Sequence, residues 1–517
     1  MPLLFLSTAA QAHFGLIDTI VVLLYFAVVA WIGWHFSRQE KTTESYFLGG
    51  HHLPAWAIGL SMLATSISSL TFIALPAAAF ALDWRFLVPN MVNPFIGILA
   101  IWIIIPFFRK SVGVSVFEYL QLRFGSGARL YAAIMFLLSQ ALRLGSILYL
   151  ISIPLELITG VSPLICMLVI GGFVALYTIM GGISAVVWTD VIQSFILYFG
   201  GFAAMLVMLQ GIDGGISGMW SVASAGNKFS LGPMEWNLSE RTFWTMLIVG
   251  ATHWVSGFIA DQNVVQRYLA ASSLHEARKA TAISTVLSLP TWAFFFLLGT
   301  TLWVFYKQHA NPTVEGMEAD AVFPYFILTQ MPVGLTGLVI AGILAAAMSS
   351  LSSSLNSFAT IATIDIVKSY LLKGRSDSYY AAVARWLTGL AAFVMLGIGF
   401  IFTRTPKESF QDLSLNIVGL LGGIVLGVFV LGLIAPMVGN RALWQAFAVA
   451  FFLNAYLACV GFGWVKNYLP FELHSYWVLP LSNLIFIVLA IILGLIQPKA
   501  RRTVAGLTVF TSDDSKN

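Results

Sequence analysis

Apolar runs of roughly 20 residues, the length that a helix needs to cross a bilayer, recur along the whole of this 517-residue sequence. Only helices and closed barrels can span a membrane, because every backbone polar group there must be bonded internally. The composition agrees, since 59% of the residues are hydrophobic and 9% are charged, whereas soluble domains have about 25% charged residues. The sequence therefore predicts an all-α integral membrane protein.

About thirteen segments are long enough to cross a membrane as helices. No polar stretch between them is large enough for a separate soluble domain, which disfavours a fused enzyme, kinase or receptor. We therefore expect a single transmembrane domain over 1–517. The predicted helices lie at 15–36, 54–81, 86–108, 128–158, 163–180, 183–210, 242–262, 278–306, 333–358, 380–403, 412–436, 441–462 and 475–496.

The positively charged residues predict the orientation of the chain. Cytoplasmic loops of membrane proteins carry an excess of Lys and Arg. Most of the 26 Lys and Arg residues fall on one side if the N-terminus lies outside, and Arg267 is counted among these internal loop charges. Because the number of helices is odd, the C-terminus then lies in the cytoplasm. The protein is expected in the plasma or inner membrane of the cell. The tail after Arg502 is polar and is expected to be disordered.

One segment is unusually rich in hydroxyl groups. Ala345 to Ser357 reads AAAMSSLSSSLNS and lies at the end of a predicted helix. Small side chains let membrane helices pack closely, and a serine hydroxyl can bond to its own backbone. Neutral oxygens on one face can equally hold a desolvated cation such as sodium, so packing and ion binding both stay open. Residues three and four positions apart share a face, which gives one stripe of Ala346, Ser349, Ser350, Ser353 and Ser357.

Two predicted helices are interrupted by polar residues. The second contains a polar patch from Thr65 to Thr71, and the seventh contains Gly257 followed by Asp261. Interrupted helices in corresponding positions of two halves indicate a transporter site, because unwound backbone exposes carbonyl groups that can bind an ion. The predicted division is 15–36 for a peripheral first helix, 54–210 and 242–436 for two five-helix units, and 441–496 for two C-terminal helices.

Two charged residues lie inside predicted helices. A carboxylate such as Asp190 is costly within a bilayer, and it fits either a cation site or a solvated, paired position near the helix end. Arg143 is too central in its helix to reach water easily. It fits either a structural ion pair with Asp190 or a fork for a substrate carboxylate, which suits guanidinium better than ammonium. We favour the cation role for Asp190 and the carboxylate role for Arg143.

Three motifs together resemble those of the sodium:solute symporter family: GGISAVVWTDVIQ, ATSISSLTF at 64–72, and AAAMSSLSSSLNS. Within that family the chain is most similar to the bacterial sodium/sialic acid symporters. This likeness includes SYFLGG before the second helix, DWRF after it, and the segment around Arg143. The resemblance implies about thirteen transmembrane helices with a five-plus-five inverted-repeat core, as in the leucine transporter, and transport by alternating access.

The resemblance also implies which residues bind the ions and the substrate. The general sodium site would use the backbone oxygens of Ala64, Ile67 and Ala346 and the hydroxyls of Ser349 and Ser350. A second sodium site would consist of Asp190 with Ser349, Ser352 and Ser353. The substrate pocket would comprise Ser66, Ser68, Thr71, Phe86, Asn90 and Arg143.

Two of the pocket positions depart from the sialic acid branch of the family. That branch resembles this chain but carries threonine where Ser66 stands and glutamine where Asn90 stands. Both substitutions keep a similar polar group, although Asn90 is one methylene shorter. The identity of the transported sugar acid therefore stays open.

The expected function is sodium-coupled secondary active symport, importing a small polar solute, namely a carboxylated sugar such as sialic acid. Na+ is the coupling ion, and the expected partners are the small-molecule substrate and the lipid bilayer, without nucleic acid. The alternative substrates are a monocarboxylate, proline, or a neutral sugar or inositol. A cation channel would not need broken helices in both halves, and a membrane sensor would usually carry a signalling domain. No nucleophile–base or metal-ligand pattern points to an enzyme.

Overall fold

The apolar segments fold as helices because a helix satisfies its own backbone polar groups inside a bilayer. Within the part of the chain that the structure describes, β structure amounts to one isolated bridge between Leu53 and Ala271. The all-α prediction is confirmed. The structure is a computed structural model that describes residues 15–37, 42–67, 69–404, 423–461, 464–468, 474–497 and 506–511.

The helices at the predicted membrane segments follow the predicted order along the chain. They are Leu16–Ser37, Ala55–Ser66 with Ser69–Ala81, Arg85–Ser111, Ser126–Thr159, Pro163–Gly211, Phe243–Ala260 with Gln262–Leu269, Leu274–Gln308, Leu335–Leu371, Asp377–Thr403, Val425–Ile434, Asn440–Gly461 and Ser475–Ile496. Shorter helices in the connections are Thr43–Leu48, Glu118–Phe124, Gly215–Ala225, Pro312–Glu315 and Ala319–Gln330.

By length and apolarity alone, the described residues contain 10 helices that could cross a membrane, or 11 if the broken pair Ala55–Ser66 and Thr71–Ala81 counts as one. Val425–Ile434 is a shorter apolar helix, and it is the part of the predicted segment 412–436 that is described as helical. Residues 412–422 of that segment lie outside the described residues.

The helix Pro163–Gly211, here called the bent helix, accounts for two predicted segments. A straight helix of its 49 residues would be roughly 73 Å long, more than twice the thickness of the hydrocarbon core. Gly182 breaks it with φ 52° and ψ −148°, a backbone conformation that favours glycine. A Cβ at this position would lie 2.5 Å from the carbonyl oxygen of Tyr46. The predicted segments 163–180 and 183–210 are therefore the two arms of this helix.

The helix Leu335–Ile361, here called the serine helix, lies at the centre of the bundle. It is almost entirely buried, whereas the outer helices Leu16–Ser37 and Ser475–Ile496 leave most of their residues accessible. Its most extensive packing is against the bent helix. Large apolar side chains such as Trp386 and Phe393 are exposed on the outside of the bundle, as a surface that faces lipid requires. The hydroxyl-rich segment is therefore a core element.

Two buried or half-buried arginines bind the C-terminal ends of helices. Arg109 Nη1 donates to the carbonyls of Tyr268 (2.9 Å), Leu269 (3.2 Å) and Ala271 (2.9 Å). Arg123 Nη2 donates in the same way to the carbonyl oxygens of Ala435 (2.8 Å) and Val438 (3.1 Å). The last carbonyl groups of a helix lack partners within the helix, so each guanidinium satisfies groups that would otherwise be unpaired.

Part of the C-terminal tail is docked against the bundle. The Val509 amide donates to the Leu433 carbonyl at 3.0 Å, and the Tyr119 hydroxyl donates to the Leu507 carbonyl at 2.9 Å. Thr508 is buried. The expectation of a disordered tail is therefore wrong for residues 506–511, because this short segment supplies both backbone and side-chain contacts; 512–517 lie outside the described residues.

Candidate functional site

Both predicted interruptions are present as extended backbone between two helical halves. Ile67 ends the half Ala55–Ser66 with φ −97° and ψ 117°. Asp261 joins Phe243–Ala260 to Gln262–Leu269 with nearly the same angles, φ −92° and ψ 107°. We call these the first and the second broken helix. Each break leaves carbonyl groups at the end of one half without the full set of helical partners.

The serine helix directs two hydroxyls at the first break. Ser350 Oγ donates to the Ile67 carbonyl at 3.1 Å. Ser349 Oγ lies 3.3 Å from the carbonyl oxygen of Ala64 and 3.1 Å from that of Ala346. All five residues are buried. The structure therefore brings together the five residues whose oxygens were expected to form the general sodium site.

This cluster has the chemistry of a site for a desolvated monovalent cation. A serine hydroxyl can rotate and accept as well as donate, and a carbonyl has two lone pairs. Once the serine protons turn away, the hydroxyl and carbonyl oxygens face one another as cation ligands do. Divalent ions prefer carboxylates, and no group of three or more His, Cys, Asp or Glu residues suited to a metal occurs in the described ranges. Neutral oxygens therefore favour a singly charged ion.

Asp190 is held by a buried network that sequence analysis did not predict. Its Oδ2 accepts a hydrogen bond from Ser61 Oγ at 2.6 Å and lies 3.0 Å from Arg267 Nη2. Arg267 Nε donates to Ser61 Oγ at 2.7 Å, and Nη2 also donates to Ser353 Oγ at 2.6 Å. Asp190 and Arg267 are both almost completely buried. The assignment of Arg267 to an internal loop is therefore wrong: it is the counter-charge of Asp190.

Of the residues expected at the second sodium site, Asp190 and Ser353 belong to this network, and Ser349 and Ser352 adjoin Ser353 on the serine helix. Asp190 Oδ1 is buried and has no hydrogen-bond partner among the residues that the structure describes. Ser352 Oγ and Ser353 Oγ both donate to the Ser349 carbonyl, at 3.1 Å and 2.7 Å. Ser353 Oγ also lies 3.2 Å from Thr65 Oγ1. Arg267 thus engages one carboxylate oxygen of Asp190. The other oxygen has no partner among the described residues, and a bound cation would supply one.

Arg143 faces the second break. Its Nη1 lies 3.8 Å from Asp261 Oδ2, and about a third of the Arg143 side chain is exposed. Asp261 Oδ1 is engaged by Asn263, through the backbone N–H at 2.9 Å and the side-chain amide at 2.7 Å. The alternative in which Arg143 pairs with Asp190 is therefore wrong. A long ion pair with partial exposure leaves guanidinium N–H groups free for another acceptor.

The other expected substrate residues lie at the first broken helix and the segment that follows it. The Ser66 hydroxyl, half-buried, donates to the Met62 carbonyl at 3.3 Å. Thr71 is buried, and Phe86 is half-buried with the Arg241 guanidinium carbon 5.4 Å from its ring centroid. Asn90 is half-buried. Ser68 lies outside the described residues.

Sequence reasoning missed three residues that shape this region: Ser61, Asp261 as a partner of Arg143, and Arg267. Arg267 follows the second break by six positions, and the burial of Asp190 required a counter-charge somewhere in the protein. That requirement was the available signal. Ser61 lies one helical turn before Thr65, on the face that continues the polar patch.

The fold and this site define a class of protein, the cation-coupled membrane transporters, in which broken helices present backbone oxygens beside a binding pocket at the middle of the membrane. The model of the sodium:solute symporter family matches residues 46–447. The chain belongs to the sodium:solute symporter family. It is a sodium-coupled symporter that moves a small solute with sodium, and its relatives are transporters rather than enzymes.

Among curated proteins, the sodium/sialic acid symporter NanT of Aliivibrio fischeri is 34% identical over 81% of this chain and 83% of its own length. The sodium/sialic acid symporter SiaT of Proteus mirabilis is 34% identical over 82% of this chain and 86% of its own. The sodium/glucose cotransporter of Vibrio parahaemolyticus is 31% identical over 81% of this chain and 80% of its own. The family resemblance found in the sequence is confirmed.

Solved structures agree on the fold. The substrate-bound, outward-open state of a Na+-coupled sialic acid symporter superposes with a TM-score of 0.87 at 30% identity, covering 95% of this chain and all of that one. A nucleobase-cation-symport-1 family transporter in a closed conformation superposes with a TM-score of 0.58 at 14% identity, covering 88% of this chain and 94% of that one. The leucine-transporter-like architecture predicted from the sequence is confirmed.

Proposed function

We propose that this symporter imports a carboxylated sugar of the sialic acid type. The observation that carries the proposal is Arg143, a partly exposed guanidinium held at 3.8 Å from Asp261 beside the break in a helix. Guanidinium binds carboxylates through two parallel hydrogen bonds. The relatives that are 34% identical over most of the chain are named as sialic acid symporters, which supports the same class of substrate.

We propose that sodium binds at the general site through the carbonyl oxygens of Ala64, Ile67 and Ala346 and the hydroxyls of Ser349 and Ser350. The three hydroxyl-to-carbonyl distances of 3.1 to 3.3 Å support this assignment. An ion there joins the serine helix to the first broken helix. Its affinity would differ between conformations in which these helices separate, and that difference couples the ion to the solute.

A second sodium ion is proposed at Asp190 together with Ser349, Ser352 and Ser353. The unpartnered Asp190 Oδ1 supports it. If two sodium ions accompany one monoanion, one net positive charge enters per cycle. At 100 mV this charge movement contributes about 2.3 kcal/mol beyond the energy of the sodium gradient.

The proposed substrate pocket consists of Ser66, Ser68, Thr71, Phe86, Asn90 and Arg143. Apart from Arg143, these residues would bind the hydroxyl, amide and ring groups of the sugar. The half-buried Ser66 and Asn90 support a polar ligand. The alternative is another anionic solute such as a monocarboxylate, because Arg143 would bind any carboxylate and the shorter Asn90 alters the fit to the sugar. The sodium-coupled monocarboxylate transporter 1 of Xenopus laevis is 28% identical.

We infer two inverted units, 54–210 and 242–436, with 15–36 and 441–496 outside them. The nearly equal backbone angles at Ile67 and Asp261, each in the first helix of its unit, support this division. The excess of Lys and Arg on one side supports an N-terminus outside and a cytoplasmic C-terminus in the plasma or inner membrane.

The purified protein should be screened by thermal shift with sialic acids, neutral sugars, proline and monocarboxylates, with sodium or with potassium. We expect stabilisation by a sialic acid in sodium only, because a ligand that binds the folded state raises its stability. Uptake into proteoliposomes should then accumulate that solute in sodium and not in potassium or choline. Stabilisation by a monocarboxylate alone would transfer the proposal to that substrate, and accumulation without sodium would contradict sodium coupling.

A further inference from the structure

The first helix, Leu16–Ser37, contributes a buried carboxylate to the serine helix. Asp18 Oδ1 accepts hydrogen bonds from the backbone N–H groups of Gly334 (2.8 Å) and Gly337 (2.6 Å). Its Oδ2 accepts another from the Gly15 N–H at 3.0 Å. Asp18 is completely buried. Three backbone donors therefore satisfy a carboxylate that has no side-chain cation as a partner in the described residues.

These bonds form the N-terminal cap of the serine helix. Its first backbone N–H groups have no partners within the helix, and its own N-cap residue, Gly334, has no side chain to supply them. A carboxylate at this place also interacts favourably with the positive end of the helix dipole. A Cβ on Gly337 would lie 2.6 Å from the Asp18 Cα, so glycine is what permits the two helices to approach this closely.

A second contact from the same helix reaches the serine helix directly beside the proposed sodium ligands. The Tyr25 hydroxyl bonds to Met348 Sδ at 3.2 Å and accepts from Gln193 Nε2 at 3.2 Å. Met348 immediately precedes Ser349. Tyr25 follows Asp18 by seven residues, about two turns, so both lie on one face of the first helix. That face is buried in an otherwise accessible helix.

We propose that Asp18 is a positioning residue for sodium binding: by capping the serine helix it sets the height and rotation at which Ser349 and Ser350 meet the first break. Ser349 follows Gly337 by about 18 Å of helix, a rigid connection between cap and site. The inference rests on the proposed sodium site at these serines. It gives the first helix, which lies outside both proposed units, a function in ion coupling.

The test measures sodium activation of substrate uptake in proteoliposomes for Asp18→Ala, Asp18→Asn and Ser350→Ala. We expect Asp18→Ala to raise the half-saturating sodium concentration about fivefold, the size of effect that follows from loss of an N-cap. Asp18→Asn, which retains one acceptor oxygen, should give a smaller rise. Thr19→Val is the matched control, since the Thr19 hydroxyl donates to the Gly15 carbonyl just before its own helix and makes no hydrogen bond to the serine helix in the described residues.

A merely structural role for Asp18 predicts a different result. Loss of folded protein lowers the uptake rate by the same factor at every sodium concentration and leaves the half-saturating sodium concentration unchanged. An unchanged half-saturating concentration in both Asp18 variants, with a shift in Ser350→Ala, overturns this inference and leaves the sodium site intact. No shift in any of the three variants overturns the site and the inference together. If Asp18→Ala does not fold, the isosteric Asp18→Asn decides by the same criterion.

Discussion

Replacing Ser350 by alanine removes one proposed sodium ligand with little change in volume. In the structure the Ser350 hydroxyl donates to the Ile67 carbonyl at 3.1 Å, a neutral hydrogen bond that contributes about 1 kcal/mol. With sodium bound, the same hydroxyl would face a full positive charge. Polar contacts to charged groups contribute about 2 kcal/mol.

The difference between these two contributions sets the size of the effect. The substitution costs the sodium-bound state about 1 kcal/mol more than the sodium-free state, which corresponds to about a fivefold loss of sodium affinity. The measurement is the half-saturating sodium concentration for uptake in proteoliposomes at a fixed substrate concentration. We expect the maximal rate at saturating sodium to change much less, because no substrate contact is removed.

Ser354→Ala is a matched control for this prediction. Ser354 lies on the same helix, is equally buried, and its Oγ has no hydrogen-bond partner in the described part of the chain. Its removal should leave sodium activation unchanged and should not destabilise the protein, because an unsatisfied buried hydroxyl contributes no bond. Equal sodium activation in wild type, Ser350→Ala and Ser354→Ala would refute the assignment of Ser350 as a ligand.

Three further substitutions test the rest of the site. Arg143→Ala should abolish binding of a carboxylate substrate in isothermal titration while sodium still stabilises the protein, and retained substrate binding would make Arg143 structural. Arg143→Lys should recover only part of the binding, because ammonium lacks the planar fork. Asp190→Asn should lower the Hill coefficient for sodium, and a wild-type coefficient would remove the second ion. Arg267→Met leaves Asp190 buried without its counter-charge and should cost about 3–5 kcal/mol of stability, seen as a lower melting temperature. Adding Asp190→Leu to the same chain should restore most of this stability, and equal melting temperatures of wild type and Arg267→Met would contradict the pairing.

The sequence predicted the fold well because its strongest signals are local. A run of apolar residues specifies a spanning helix by length alone, and a cluster of polar residues within one marks an interruption. The break at Ile67 and the stripe containing Ser349 and Ser350 follow from such signals, as does their expected contact once the family resemblance is known. The bend at Gly182 was also visible as a division between two apolar segments.

Ion pairing was predicted poorly because it depends on which helices meet. Arg267 is preceded by polar residues and resembles a loop charge in the sequence, yet it is 1% exposed and bonds to Asp190, a residue 77 positions away. Arg143 and Asp190 are two charged residues inside predicted helices, so the sequence alone makes them candidates for an ion pair. The actual neighbour of Arg143, Asp261, becomes a candidate only when the second break is placed opposite the helix Ser126–Thr159.

Arg109 and Arg123 bind peptide carbonyl groups, which carry no net charge. Dissolved ions screen attraction between charges but have little to screen at such contacts. We therefore expect these two guanidinium contacts to hold the helix ends equally well in dilute and in concentrated salt.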